Sequence, residues 1–367
     1  MEKDKIPSFL EGYSNVSSLK LNGSEIESTL ELNNRETIIS NSDSIFYKRF
    51  NNLEVDSLER IYVKNEETIH IYDKGGNYIK TLGREGSGPG EFKVIHNFKI
   101  KNFHLYVYDA NLARISVYEL SSFDLKNVIS VPTVSGKIGL GEFSIRNDGT
   151  IIVGMTESKR KRNSPITDKY MHYYIIDKEG LINKKELLST SLSSYFEVEN
   201  ERGTSYPPIP FDRTTLFSMS KSDKLYFAWT GKIAIKKFDR VGKYLKGYYY
   251  PYDNIEVVGD IDYPKVYSVL DIISDTKRVL GNRLPESKPA VKHFFVDDKE
   301  RIWLSTITSD NDTYEWWVIN ENGAFLAKFI LPKNEIIKVV RDGIAYTIKQ
   351  DAESGFYFIN RYEIKLN

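Results

Sequence analysis

A strand-like triplet, aromatic at its centre in five of its copies, recurs along the whole chain and leaves few folds open. It reads Ile61-Tyr62-Val63, Leu105-Tyr106-Val107, Ile151-Ile152-Val153, Leu225-Tyr226-Phe227, Ile302-Trp303-Leu304 and Ala345-Tyr346-Thr347. Each copy follows a short alternating run and a polar turn, and each precedes a further alternating run. The first unit shows the full pattern, with strands expected at Leu53-Glu54-Val55, Ile61-Tyr62-Val63, Thr68 to Tyr72 and Tyr78 to Leu82. Four of the runs after the triplet end in an acid or amide with a glycine three residues on: Asp73 and Gly76, Asp177 and Gly180, Asp239 and Gly242, Asn320 and Gly323. That spacing is a hairpin signal repeated along the chain.

A unit of about 44 residues carrying four short strands cannot bury both faces of its sheet alone, so neighbours must stack around an axis. The six triplets therefore predict an all-β, six-bladed β-propeller. The last unit, Ile336 to Ile364, supplies only three strands before the chain stops. An N-terminal strand, at Leu19-Lys20-Leu21 or Leu30-Glu31-Leu32, is expected to close it and remove an exposed edge. Residues 1–15 lack periodicity and read as a flexible lead, with residues 16–367 forming a single propeller. One segment breaks the pattern. Between blades four and five, Val266, Val269, Leu270, Ile273 and Leu280 follow helical spacing, Pro264 suits a first turn and Gly281-Asn282 an end. A helical insertion over about 260–283 is expected, either a lid over the central channel or a rim helix covering apolar surface.

Lys plus Arg equals Asp plus Glu, 51 of each, so the balance of charge steers the chain to neither nucleic acid nor an anionic membrane. The lack of cysteine excludes disulfides, thiolate catalysis and Cys-ligated zinc. No run is apolar for long enough to span a membrane as a helix, and Met1-Glu2-Lys3-Asp4-Lys5 is not the start of a signal peptide. A monomer is expected.

Val107 to Tyr118, with Asp109, Asn111 and Arg114-Ile115 at the turn, resembles the core of an NHL-type propeller repeat. Gly83 to Phe92 is similar to the Gly-Pro-Gly-Glu-Phe link of that family. The whole chain resembles the six-bladed propeller proteins abundant in Bacteroidetes, many of them lipoproteins tethered outside the cytoplasm. The resemblance implies a periplasmic or outer-membrane-tethered protein with a lipid anchor in its precursor; the residues alone leave a cytoplasmic location open. The resemblance is specific in blades one and two and degenerate elsewhere, and Lys64-Asn65-Glu66-Glu67 of blade one lacks the Asp-Asn-Arg set of blade two.

In a propeller, the first and third turns of each blade open on one face, and the second turn and the link to the next blade open on the other. The long connections, Gly83 to His96, Glu157 to Lys169, Ser189 to Arg213, Tyr252 to Lys288 and Ser309 to Tyr314, all fall on the second face. That face is the candidate functional face. Its candidate ligand-binding residues are Arg84, Glu85, Asp109, Arg114, Tyr206, Arg213, Trp229 and Tyr252. Arg84 and Glu85 sit in the glycine-rich link, which lacks the order of a phosphate loop. Asp109 and Arg114 serve either a ligand or a turn network. Ser205 to Phe211 carries three prolines and is expected to run as a stiff extended loop presenting Tyr206. Trp229 and Tyr252 offer apolar surface for a sugar ring or a peptide side chain. Lys159-Arg160-Lys161-Arg162 is the one dense basic run, either an anion site or a solvated tip.

The histidines His70, His96, His104, His172 and His293 show no metal-ligand spacing, and no nucleophile elbow is present. The expected function is non-catalytic binding of a small molecule, glycan or peptide, with no cofactor. Two alternatives stay open: a metal-dependent lactonase or hydrolase drawing a divalent cation to Asp109, Glu142, Asp310 and Asp312, and a scaffold for a protein partner.

Overall fold

The chain's computed structural model describes residues 6–19, 30–40, 52–157, 166–200, 203–258, 280–310 and 312–366. Two N-terminal strands, β1 (Val16–Ser18) and β2 (Leu30–Ser40), precede the first blade. Blade one runs β3 (Leu53–Val55), β4 (Ile61–Asn65), β5 (Thr68–Tyr72) and β6 (Tyr78–Leu82), and blade two β7 (Ile95–Lys101), β8 (His104–Asp109), β9 (Arg114–Glu119) and β10 (Leu125–Ser130). Blade three has β11 (Lys137–Ile145), β12 (Ile151–Glu157), β13 (Ile166–Ile176) and β14 (Ile182–Phe196), followed by a small hairpin of β15 (Val198–Asn200) and β16 (Gly203–Ser205). Blade four has β17 (Thr215–Met219), β18 (Leu225–Trp229), β19 (Ile233–Phe238) and β20 (Tyr244–Tyr250). Blade five has β21 (Val291–Val296), β22 (Ile302–Ile307), β23 (Thr313–Ile319) and β24 (Phe325–Pro332), and blade six β25 (Glu335–Arg341), β26 (Ile344–Gln350) and β27 (Tyr357–Leu366). Within each blade the strands pair in chain order, antiparallel, so the expected meander is present in all six.

The triplets are the second strands, and they are the most buried part of each sheet. Tyr62, Tyr226, Trp303 and Tyr346 are among the largest fully buried side chains, and they fill the space between adjacent blades. One cluster joins Tyr346, Ile348 and Ile359 of blade six to Leu53, Val55, Ile61 and Tyr72 of blade one. Another joins Tyr226, Ile233, Ile235 and Tyr248 of blade four to Ile302, Leu304 and Trp317 of blade five. Each sheet thus buries its face against its neighbour, which is why single units cannot stand alone.

The ring is closed by β2. It pairs antiparallel with β27, from Leu30 opposite Leu366 to Ser40 opposite Phe358, as the outermost strand of blade six. The expected strand at Leu30-Glu31-Leu32 is therefore present and continues to Ser40; of the alternative at 19–21, residues 20–21 lie outside the described residues. Ile38 and Ile39 are buried in the cluster shared by blades six and one. The turn after β5 leans on this strand, because a Cβ on Gly76 (φ +82°) would stand 1.7 Å from the Ile38 carbonyl oxygen.

Three features depart from the sequence reading. The described part of the N-terminal lead, residues 6–15, is docked on blade four: Leu10 is buried, Phe9 stacks on Trp229 (ring centroids 6.1 Å apart, 14° between planes), and the Lys236 amine lies 4.1 Å from the Phe9 ring centre. Val16–Ser18 then adds to β20 in parallel as a fifth strand. The segments around 166–169 and 189–196, expected as loop, are strand, since β13 and β14 continue pairing to Ile166 opposite Phe196. Their far end, with β15 and β16, carries a small separate core of Ile166, Phe196, Val198, Ile209 and Leu280. Finally, the helical insertion expected over about 260–283 is not found among the described residues. Residues 259–279 lie outside them, and the described end is a short 3-10 turn, Gly281–Arg283.

Candidate functional site

The innermost strands β3, β7, β11, β17, β21 and β25 surround the axis, and their alternation turns one set of side chains toward it. At the end formed by the first turns, neighbouring blades are stitched together. Asn102 Nδ2 donates to Asn147 O (3.1 Å), Asn147 N to Asp223 Oδ1 (3.0 Å), Ser222 N to Glu300 Oε1 (2.9 Å) and Asp342 N to Asp298 Oδ2 (2.9 Å). Lys101 of blade two reaches Asp223 of blade four at 3.9 Å, so an ion pair spans this end of the channel.

Toward the opposite, loop-rich end lies a cavity of about 320 Å3 lined by Asn52, Leu53, Glu54, His96, Asn97, Lys99 and Lys338. Its wall is polar except for Leu53. Asn97 and Lys99 stand on one face of β7, alternating with the buried Phe98. Lys99 Nζ is 2.7 Å from Glu54 Oε1, Asn52 Nδ2 donates to Asn97 Oδ1, and His96 Nε2 meets Gly141 O at 3.1 Å. Lys338 enters from β25 of blade six. Burial and the neighbouring positive charge of Lys99 both push its ammonium below the usual lysine range. Next to it, His293 is stacked on Trp316 (10° between planes) and hydrogen-bonded to Ser305 Oγ (2.8 Å). Burial first, and then Lys338 and Lys292, push that imidazole down to about 3, so it stays neutral.

Glu142 lies on β11 beside this cavity and accepts a hydrogen bond from the buried Tyr173 hydroxyl. Burial pushes its carboxyl up from 4.5 to about 7, opposed by the Tyr173 bond and by Lys99. A raised carboxyl means the folded state holds a proton that the unfolded chain releases above pH 4.5. Its contribution is therefore full below pH 4.5 and is lost as pH rises through 7. Glu142→Gln keeps an acceptor for Tyr173 and removes the titration. Urea unfolding at pH 5 and pH 8 is expected to show a fall in stability across that interval that is smaller in the variant by about 2–3 kcal/mol.

Most residues nominated from the sequence sit elsewhere, in turns and packing. Asp109 is fully buried and accepts from the backbone N–H groups of Lys93 (2.6 Å), Asn111 (2.9 Å) and Leu112 (2.9 Å). Arg114 donates to the carbonyls of Ser87 (3.0 Å), Gly88 (2.6 Å) and Glu91 (2.8 Å), so the pair fixes the glycine-rich link to blade two. Within that link Arg84 pairs with Glu91 (2.7 Å), and Glu85, largely exposed, is 3.9 Å from Lys93. Arg213 ties its own loop to the segment before blade five through Phe211 O (2.9 Å) and Ser287 O (2.9 Å). Tyr206 follows β16, and the proline-rich stretch after it lies along the end of β14, with Ile209 N donating to Ser194 O (2.8 Å). Trp229 is covered by Phe9, and the Tyr252 hydroxyl donates to Ile307 O (2.8 Å) while its ring packs on Trp317.

The four acids of the metal reading do not meet: Asp109 caps its turn, Glu142 is beside the channel, and Asp310 accepts from Asp312 N (2.9 Å) within one loop of blade five. Among the described residues no group of three or more His, Asp or Glu is placed to hold a metal ion. The basic run at 159–162 lies outside the described residues. No helix among the described residues is long and apolar enough to cross a membrane.

The channel residues Glu54, Asn97, Lys99 and Lys338 were not nominated from the sequence. They are single polar residues on innermost strands of different blades, and only the closure of the ring brings them together. Ring size and strand order were the available signal.

Comparison with known proteins agrees with the architecture. The profile of the family DUF5128, described as 6-bladed beta-propeller, matches residues 38–222. No curated protein matches significantly. Among solved structures, a Bacteroides fragilis protein described as exported superposes with a TM-score of 0.54 at 11% identity, over 96% of this chain and 99% of that one. A gluconolactonase from Xanthomonas campestris gives a TM-score of 0.46 at 10% identity over 87% and 88% of the two chains. A calcium-binding protein, regucalcin, from Agrobacterium tumefaciens gives 0.46 at 10% identity over 96% and 97%. At these identities the likeness is one of fold.

Proposed function

Because the chain belongs to the DUF5128 family of six-bladed β-propellers, we propose that it is a binding protein that takes a small molecule into the loop-facing mouth of its central channel, without changing it chemically. The observation that carries this reading is the polar cavity of about 320 Å3 lined by blades one, two and six. It is concave, built on rigid strands rather than on loops, and backed by the Lys101–Asp223 pair at the far end. Its side chains are those of a binding site: amides, an ion pair, a lysine and His96, whose Nε2 meets the Gly141 carbonyl and not a hydroxyl or carboxylate among the described residues.

Export to the cell envelope belongs to the same reading. It is supported by the resemblance of the repeats to Bacteroidetes envelope propellers, and by the Bacteroides fragilis protein of the same fold that is described as exported. Fractionation of cells making the full precursor tests it, with the protein expected outside the cytoplasm. The NHL-like character of blade two and a lipid anchor are further parts of the proposal.

Asn97→Trp plugs the cavity while leaving the buried face of β7 intact. In a ligand-detected NMR screen of mixed sugars, sugar acids and amino acids, solutes that bind the wild type are expected to lose at least about nine-tenths of their signal with the plugged variant. Hits that survive the plug unchanged would place the binding surface elsewhere.

A further inference from the structure

We propose that the channel mouth selects a small polyhydroxylated carboxylate, a sugar acid the size of a single hexuronate, with its carboxylate on Lys338 and its hydroxyls on Asn52 and Asn97. The inference rests on the channel-mouth reading above and adds to it the charge and the chemical class of the ligand.

The charge comes from an imbalance among the channel's ionic groups. Lys99 has Glu54 at 2.7 Å, and Lys101 has Asp223 at 3.9 Å. Glu142 is held by Tyr173 and spends much of its time protonated near neutral pH. Lys338 has no acidic or hydrogen-bonding partner among the described residues, yet it lines the same cavity as Lys99, whose charge disfavours its own. One cation is therefore left uncompensated within a concave, partly desolvated space. A single carboxylate beside it supplies the missing counter-charge and relieves the repulsion from Lys99. A ligand with several negative charges fits less well, because Glu54 and Glu142 are close by.

The rest of the ligand follows from the wall and its size. Asn52 Nδ2 donates to Asn97 Oδ1, which also accepts from Phe98 N (2.8 Å). That leaves Asn52 Oδ1 and Asn97 Nδ2 without partners among the described residues, an acceptor and a donor side by side. Such a pair suits the hydroxyl groups of a sugar, which both donate and accept. With Leu53 the one aliphatic residue in the wall, no surface favours an apolar ligand. A cavity of about 320 Å3 lies at the lower end of small-molecule sites, room for one ring rather than an oligosaccharide or a peptide.

Isothermal titration of the full chain with glucuronate, glucose and inorganic phosphate tests this. Wild type is expected to bind glucuronate about tenfold or more tighter than glucose, and Lys338→Met is expected to lose that preference. Phosphate should compete only weakly. Because Lys338 is unpaired, Lys338→Met is expected to melt no lower than wild type, so that lost binding is not lost folding. Equal binding of glucose and glucuronate, an unchanged Lys338→Met, tighter binding of phosphate, or no binding of any probe would each overturn the sugar-acid inference. The channel reading fails separately, if glucuronate binds and neither Lys338→Met nor Asn97→Trp weakens it.

Discussion

Ile39→Asp is expected to unfold the protein at room temperature, and removal of residues 1–40 is expected to leave a chain that aggregates instead of folding. The ring has one covalent gap, and β2 bridges it by lying outside β27 of the last blade while packing toward the first. Ile38 and Ile39 are 8% and 6% exposed, within the same cluster as Val55, Ile61 and Tyr346. The ladder is reinforced by Arg361, whose Nη2 is 2.6 Å from Glu36 and whose Nη1 donates to Lys74 O (3.1 Å) of blade one. Polar contacts run inward from it: Thr37 Oγ1 donates to Asn360 Oδ1 (2.7 Å), and Asn360 Nδ2 to the buried Glu335 (2.7 Å). A carboxylate at position 39 has no partner in that apolar cluster and costs more than about 3 kcal/mol, a large share of a domain's whole stability. Far-UV circular dichroism and gel filtration provide the check. A truncated chain that stays monomeric with wild-type dichroism would show that the ring closes without β2. Restoration of the truncated chain by a synthetic peptide of residues 30–40 would support the clasp directly.

Asp297→Ala is expected to cost about 3–5 kcal/mol in urea unfolding, and Asp56→Ala less. Asp297 is 4% exposed, and its carboxylate accepts from Lys299 N (2.9 Å), Arg301 N (2.8 Å), Arg301 Nε (2.6 Å) and Trp303 Nε1 (2.8 Å). One side chain thereby closes the first turn of blade five, neutralises a guanidinium 7% exposed, and orients the fully buried indole. Its loss leaves Arg301 charged and unpaired inside the protein, the costly case for a buried ion pair. Blade one repeats the arrangement with Asp56, Arg60 Nε (2.6 Å) and Tyr62 OH (3.0 Å). There Arg60 is 16% exposed, so water partly replaces the lost partner. Asp73 also caps a turn, but at the surface, and Asp73→Ala is expected to lose far less than either. Equal losses at all three positions would contradict this ranking by burial.

The pinned turn has a signature in the sequence: Asp-x-x-x-Arg-Ile followed by an aromatic residue occurs at 56–62 and again at 297–303. The blades themselves were readable because each strand alternates and each hairpin carries its acid and glycine at fixed spacing. Where alternation fails, so did the reading. β2 was visible only at Leu30 to Leu32, since Asn33 to Glu36 is polar and the pairing with β27 shifts register there. The ends of β13 and β14 are rich in serine and threonine, and they are strands because each supplies the other's backbone partners. The lead at 6–15 carries no period at all, yet Phe9 and Leu10 find a surface on blade four that only the folded ring presents. The channel was hidden for the same reason. Glu54, Lys99 and Lys338 are far apart in sequence, and each alone reads as a polar residue on a short strand. Loop-face residues such as Asp109 and Arg114 looked like ligand groups because turn networks and binding sites draw on the same chemistry.

A crystal structure of the full chain grown with glucuronate would decide whether the channel mouth is the binding site. Ligand density is expected in the channel mouth, its carboxylate within hydrogen-bond reach of Lys338 Nζ and its ring against Asn52 and Asn97. Ligand density on the outer loops around Tyr206, with only solvent between Lys338 and Lys99, would contradict it.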